Sequence, residues 1–312
     1  MNDLISTQVK LQYFAFGLSI ESDIPLPELT PSLESNRLCD VQIRMDRFLK
    51  NGFDAQPYDF LADGSTITVK LPDAGVFRIQ DGNRIIVSPY SGADEDLIRL
   101  YVLGTCFGII LLQRLIYPLH GSAIAINGKA YAIVGHSGAG KSTLASVFIE
   151  RGFRILSDDV IAVRMDEEQS RPYVYPSYPQ QKLWQNSLTA FGRSHEALRS
   201  IYGREDKYCI PITDSFHDAP LPLAGVFELT KVQTQEALIS VAPVSKLQRL
   251  PLLLQHTYRY QLIERMNMMR WHFERTAMLA SSMMIYQLRR SEAVFTAQEL
   301  ADLILNTIAA EE

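Results

Sequence analysis

Apolar and polar positions alternate through the first ninety residues. Val41-Gln42-Ile43-Arg44-Met45 steps in and out with a period of two, the pattern of a half-buried strand. Gln12–Phe16, Thr66–Val69, Val76–Ile79 and Arg84–Ser88 read as further strands, broken by turn residues at Gly17, Pro72–Gly75 and Asp81-Gly82. Asp23–Leu29 holds two prolines and reads as an extended loop. These segments predict a small antiparallel sheet over residues 1–92. From Asp94 the period changes. Leu97 to Leu112 predicts one long apolar helix within 93–118, joining the sheet to the rest of the chain and ending at Tyr117-Pro118.

The remaining 119–312 mixes both periods. Asn127-Gly128 between Ser122–Ile126 and Ala130–Val134 is a strong hairpin signal. Leu144, Val147 and Phe148 recur at helical spacing, Arg151-Gly152 closes that helix, and Phe153–Leu156 is the next strand. Arg171–Tyr208 is loop-rich, with Pro172–Pro179 too dense in proline for regular structure. Leu223–Leu229 and Ala237–Val241 are strands. Helices follow from Ser245, with Pro251 near the first turn or at a kink, and Thr296 with Glu299 forms a capping box opening a last helix. The fold class is α/β in the broad α+β sense, with an N-terminal β-rich module and C-terminal helices.

Composition narrows the function. Of 312 residues 47% are hydrophobic and 21% charged, enough for a large core and against wholesale disorder. The formal net charge is -5 and no long basic run occurs, which argues against a general nucleic-acid binder. Cys39, Cys106 and Cys209 are widely spaced without a CxxC pair, so neither a disulfide framework nor a structural zinc site is expected. Met1-Asn2-Asp3-Leu4 lacks the pattern of a signal peptide, and Tyr101–Tyr117 is too short and broken to span a bilayer. A cytoplasmic protein without membrane or nucleic-acid partners is the expectation.

The chemistry centres on Gly135-His136-Ser137-Gly138-Ala139-Gly140-Lys141-Ser142-Thr143, which fits G-x-x-x-x-G-K-[ST] between a strand and a helix. Glycines let backbone N–H groups close around an anion, and the helix N-terminus adds unpaired donors. Lys141 would reach the β- and γ-phosphates of a nucleotide, and the Ser142 hydroxyl would ligate Mg²⁺. Asp158-Asp159 follows the next strand, and two carboxylates at a strand's C-terminal end lie where open α/β sheets place ligand chemistry. Gln181-Lys182-Leu183-Trp184 could contact nucleotide or be a surface loop. Arg193, Arg199, Arg204 and Lys207 are open candidates for steadying phosphate charge.

Leu119-His120-Gly121-Ser122, the hairpin, the P-loop, Glu150-Arg151-Gly152-Phe153-Arg154 and the Asp pair, in this order, resemble the HPr kinase/phosphorylase family. The resemblance covers about Leu119 to Val163. It implies a P-loop core of HPr-kinase type that transfers phosphate from ATP, with Mg²⁺, to a protein serine. It further implies Asp158 as the base taking the serine proton, Asp159 supporting the metal together with Ser142, and His120 beside the phosphates. Assembly into a homo-oligomer is implied as well. The chain departs from the family after the Asp pair. Where an E-[IV]-R-G metal-binding glutamate would stand, it reads Gln180-Gln181-Lys182-Leu183-Trp184, so the resemblance leaves the reverse phosphorylase activity open. The β-rich start is closer to HPr-kinase-like proteins that phosphorylate the C-terminal serine of a lasso-peptide precursor. Three alternatives stand beside a peptide or small-protein kinase: a nucleotide-gated partner-binding module without phosphotransfer, an HPr-type kinase and a small-molecule kinase.

Overall fold

A computed structural model describes residues 11–32, 38–49, 56–166, 168, 171–196, 198–201, 204–233 and 239–311, with the backbone alone at 204 and 205. The readings made at Met1–Leu4, at Ala237-Leu238 and for the Arg204 side chain lie outside the described residues. The chain divides into two compact units, Met1–Arg114 and Leu115–Glu312.

In the first unit, eight strands make one sheet. They are β1 (Leu11–Ala15), β2 (Leu18–Ser22), β3 (Thr30–Pro31), β4 (Val41–Met45), β5 (Phe60–Asp63), β6 (Thr66–Leu71), β7 (Gly75–Gln80) and β8 (Arg84–Pro89), ordered β3-β1-β2-β4-β8-β7-β6-β5. The sheet is mixed, not purely antiparallel, because β4 runs parallel to both β2 and β8. Alternation fixes which face of each strand is buried but not the direction of its neighbour. The apolar stretch that follows forms α1 (Glu95–Tyr101), a π-helical turn (Val102–Cys106) and α2 (Phe107–Gln113). Asp94 caps it by accepting from the backbone N–H of Asp96 and Leu97. These turns belong to the first unit: Phe107 stacks on Phe16 at 5.4 Å and Gln113 accepts from the Gly82 N–H. The helix stops at Gln113, four residues before the expected Tyr117-Pro118, and Leu115 has φ +57°. Tyr117-Pro118 opens a strand instead.

That strand is β9 (Tyr117–Ile126), the start of the second unit. With β10 (Lys129–Val134) it forms the expected hairpin, whose turn residues Asn127 and Gly128 both have positive φ. Next come α3 (Lys141–Glu150), β11 (Arg154–Asp166), β12 (Arg171–Tyr175), β13 (Gln180–Trp184), α4 (Gln185–Ala190), β14 (Arg199–Ile201), β15 (Arg204–Pro211) and β16 (Leu221–Val232). The chain ends with β17 (Ile239–Pro243), α5 (Lys246–Gln255), α6 (Leu262–Arg265), α7 (Met269–Ser282), β18 (Met284–Ser291) and α8 (Ala297–Glu311).

Seven strands pair in the order β10-β9-β11-β12-β16-β18-β17, and β10 also pairs parallel with β16, closing a ring through β9, β11 and β12. Strand β13 lies in a separate three-stranded sheet with β15 and β14. Two apolar cores flank the main sheet. Ile124 and Ile133 pack with Leu144, Val147 and Phe148 of α3 and with Leu300 and Ile304 of α8. Ala123, Ala132 and Val134 pack with Leu252 and Leu253 of α5 and Leu279 of α7. Adjacent residues of β10 thus serve opposite cores, as a doubly covered strand requires. The proline-dense segment is more regular than expected. Pro172 sits within β12 near its start, while Pro176 and Pro179 fall just outside strands.

Candidate active site

The glycine loop leaves β10 at Val134 and enters α3 at Lys141. Its first residue has no room for a side chain, because a Cβ on Gly135 would lie 2.5 Å from the Leu229 carbonyl oxygen of neighbouring β16. Lys141 is buried and folds back on the loop, donating to the carbonyls of Gly135 at 2.8 Å and His136 at 3.1 Å. Burial lowers the pKa of its ammonium, an effect countered by the charges of Asp159 and Asp158. Ser142 points elsewhere, donating to Asp158 Oδ1 at 3.0 Å. The Thr143 hydroxyl pairs with that of Ser187 at 2.8 Å. His136, Ser137 and Gly138 form the exposed part of the loop, with Ala139 and Gly140 behind them.

The Asp pair does not end a strand. It lies within the thirteen-residue β11, whose ladder continues past it. Strand register puts Asp158 opposite Ser122, Asp159 opposite Gly121 and Val160 opposite His120. This accounts for Leu119-His120-Gly121-Ser122: a Cβ on Gly121 would lie 2.2 Å from the Ile133 carbonyl oxygen, so only glycine fits between β11 and β10. Asp158 is buried and takes three hydrogen bonds. Ser122 Oγ at 2.6 Å and Ser142 Oγ donate to Oδ1, and the Lys182 N–H donates to Oδ2 at 2.9 Å.

Asp159 differs in every respect. Its φ is +86°, uncommon for a residue with a side chain and of the kind that clusters at functional sites. Its Oδ2 accepts from Lys182 Nζ at 2.9 Å, and Oδ1 lies 3.5 Å from His120 Nδ1. His120 Nδ1 is also 3.1 Å from the Asp159 carbonyl oxygen, which only accepts, so Nδ1 carries the proton. Burial lowers the His120 pKa against the opposing pull of Asp159. Burial also raises that of Asp159, but the charges of Lys182 and then His120 outweigh it and hold the carboxyl well below the usual range. The loop thus brings Ser142 to Asp158 and leaves Lys141 on the loop carbonyls within the charge of both carboxylates, while His120 meets Asp159.

Gln181 stands near the missing glutamate. It is neutral and tied at both ends to α3, accepting from Ser146 Oγ at 2.8 Å and donating to the Ser142 carbonyl at 2.9 Å. Among the described residues no group of three or more His, Cys, Asp and Glu side chains could by itself hold a metal. Ser142 beside Asp158 still offers the hard oxygens that suit Mg²⁺, which is commonly held by one or two protein ligands plus substrate phosphates. Of the four candidate cations, Lys207 lies over the Trp184 ring at 5.3 Å, and its charge acts on both Lys141 and Asp159. Arg193 instead pairs with Glu150 at 3.2 Å.

Several residues escaped the sequence reading. Arg290 Nε donates to the Ala139 carbonyl of the loop at 3.0 Å. Glu228, opposite Val134 at the base of the loop, accepts from His256 Nε2 at 2.9 Å and Gln287 Nε2 at 2.7 Å. His256 stands edge-on to His136 at 5.5 Å, and its carbonyl accepts from the His120 N–H. A lone carboxylate in the apolar run Leu223–Leu229 was a legible signal for Glu228. No local pattern marks His256 or Arg290.

No family model matches the chain. An HPr kinase/phosphorylase of Listeria monocytogenes serotype 4a is 34% identical over 109 residues, 33% of this chain and 35% of that protein. Another from Limosilactobacillus reuteri is 40% identical over 62 residues, 19% of each chain. Over that part the chain is HPr-kinase-like, and it spans about a third of the length of the first curated relatives it matches. The solved HPr(Ser) kinase/phosphatase from Coxiella burnetii aligns with a TM-score of 0.32 at 11% identity, covering 62% of this chain and 97% of that one. No helix among the described residues is long and apolar enough to cross a membrane.

Proposed function

We propose that this protein is an ATP- and Mg²⁺-dependent kinase that transfers the γ-phosphate to a serine hydroxyl of a peptide or small protein in the cytoplasm. The observation that carries this reading is the contact of Ser142 Oγ with Asp158 Oδ1 at the start of α3, next to a second carboxylate paired elsewhere. The loop N–H groups of Gly135 to Thr143 receive the phosphates, and Lys141 exchanges its carbonyl partners for phosphate oxygens. Ser142 and Asp158 would hold Mg²⁺, which would supply positive charge to the phosphate oxygens.

The two aspartates then exchange the roles that the family resemblance implies. Asp158 has both oxygens engaged and stands against Ser142, which suits it to the metal. Asp159 is a quarter exposed and held ionised, which suits it to the acceptor. The serine hydroxyl gives its proton to Asp159, its oxygen bonds the γ-phosphorus, and the bond to ADP breaks. His120 fixes the Asp159 backbone through its Nδ1–H.

The similarity to HPr kinase/phosphorylase supports a protein serine as acceptor. The C-terminal serine of a ribosomal lasso precursor is the finer reading, and a homo-oligomer is the expected assembly. The test is incubation with γ-labelled ATP and Mg²⁺, offering HPr, a precursor-type peptide ending in serine, or no acceptor, followed by mass spectrometry. Phosphate on a serine of either acceptor supports the kinase, and its identity selects the substrate. ATP bound without transfer to either acceptor favours the nucleotide-gated module. Asp159→Asn is expected to abolish transfer while MgATP still binds, whereas Asp158→Asn weakens Mg²⁺ dependence first.

A further inference from the structure

Among the described residues, Lys182 hydrogen-bonds both carboxylates. Its backbone N–H donates to Asp158 Oδ2 and its ammonium to Asp159 Oδ2, each at 2.9 Å. One residue of β13 therefore sets the position of the whole Asp pair, although β13 belongs to a different sheet. The Lys182 side chain is 8% exposed, so it is not a surface cation that happens to swing near a carboxylate.

The surroundings of Asp159 leave little access for a metal. Oδ2 is occupied by the ammonium and Oδ1 faces His120. Mg²⁺ would need to approach within about 2.1 Å of an oxygen and bring a near-octahedral shell of ligands. It cannot share the Oδ2 side with Lys182. The neighbouring position that could have supplied an extra carboxylate is Gln181, neutral and locked to α3 at both ends. Asp158 is different: Ser142 adjoins it, and its donors are two hydroxyls and an amide, none of them charged.

We propose that the Lys182 ammonium is a built-in cation standing where a second divalent ion would otherwise bind at Asp159, so that this site works with a single metal ion held through Ser142 and Asp158. Lys182 is a positioning residue. It holds Asp159 Oδ2 in place by a 2.9 Å contact without covering the carboxylate with a metal, which would compete with the acceptor hydroxyl for the same oxygens. The inference rests on the phosphotransfer reading for its purpose, but the exclusion of metal from Asp159 can be measured without nucleotide or acceptor.

The experiment is Mn²⁺ binding to the full-length protein, followed by electron paramagnetic resonance of the free ion, without nucleotide and with a non-hydrolysable ATP analogue. Lys182→Ala is expected to gain one Mn²⁺ site over the wild type, tightened by about tenfold or more. The gain should vanish in Lys182→Ala/Asp159→Asn, and Lys182→Arg should keep the wild-type count. Thermal melting of each variant confirms that it is folded. An equal Mn²⁺ count in wild type and a folded Lys182→Ala overturns the proposal, as does a gained site that survives Asp159→Asn. Absence of nucleotide binding in the wild type would overturn the kinase reading instead, and the nucleotide-free counts would still decide the role of Lys182.

Discussion

Asp159→Asn removes one charge from a pair whose partner is nearly inaccessible to water. Lys182 is 8% exposed and Asp159 25%, with 2.9 Å between them. Stranding one member of a buried pair costs roughly 3–5 kcal/mol. Because a quarter of Asp159 meets solvent, water relieves part of this, and about 2–3 kcal/mol is expected. Lys182→Met strands the carboxylate instead, which reaches water more easily, so about 1–2 kcal/mol is expected. In the double variant no charge is left unpaired. The two losses should therefore fall short of additivity by about 1.5 kcal/mol or more. Urea denaturation of the four proteins at pH 7, with m-values compared, measures this coupling. Additivity within about 0.5 kcal/mol would refute the claim that the two groups form an energetically coupled buried pair. The pH dependence gives a second reading. The Asp159 carboxyl is held below its unfolded value of about 3.9, so its stabilisation is complete above that pH and is lost as pH falls towards the folded value. Lys182 is raised above about 10.4, so its contribution is complete below that pH and is lost as pH rises through the folded value. Asp159→Asn should lack the acid-side loss.

Gly121→Ala should destabilise the second unit by about 1–3 kcal/mol or more in denaturant titrations, since its methyl group would meet the Ile133 carbonyl oxygen at 2.2 Å. Lys141→Met should weaken binding of a fluorescent ATP analogue about 10- to 100-fold, the loss of one charge-assisted phosphate contact, with the melting temperature little changed. His272, buried beside Thr257, has its pKa lowered by burial to about 4. Folding therefore excludes a proton there, and stability should fall by up to about 3 kcal/mol as pH drops from about 6.5 to 4. His272→Gln should flatten that part of the pH–stability curve.

The sequence by itself determined what depends on neighbours along the chain. Asn127-Gly128 specified a hairpin because both turn residues must take positive φ. The strand–glycine–helix run specified a glycine loop between β10 and α3 because it depends on consecutive backbone groups. His120, the loop and the Asp pair could be recognised as one block by their order. Where the local rules failed, a long-range contact had overruled them. Tyr117-Pro118 begins a strand because β11 pairs with it, and Pro172 is tolerated in β12 because the ladder accommodates it near the strand's start. Which partners each aspartate takes was decided only in three dimensions. The β9–β11 register sets Ser122 against Asp158. A separate sheet delivers Lys182 to both carboxylates. Strand β16 and the end of α5 bring Glu228 and His256 under the loop. These partners lie between 20 and more than 100 positions apart in the chain. A one-residue slip in register would exchange the faces that Asp158 and Asp159 present, and no periodicity in the sequence encodes that choice; the packing of β9, β11 and β13 against one another does.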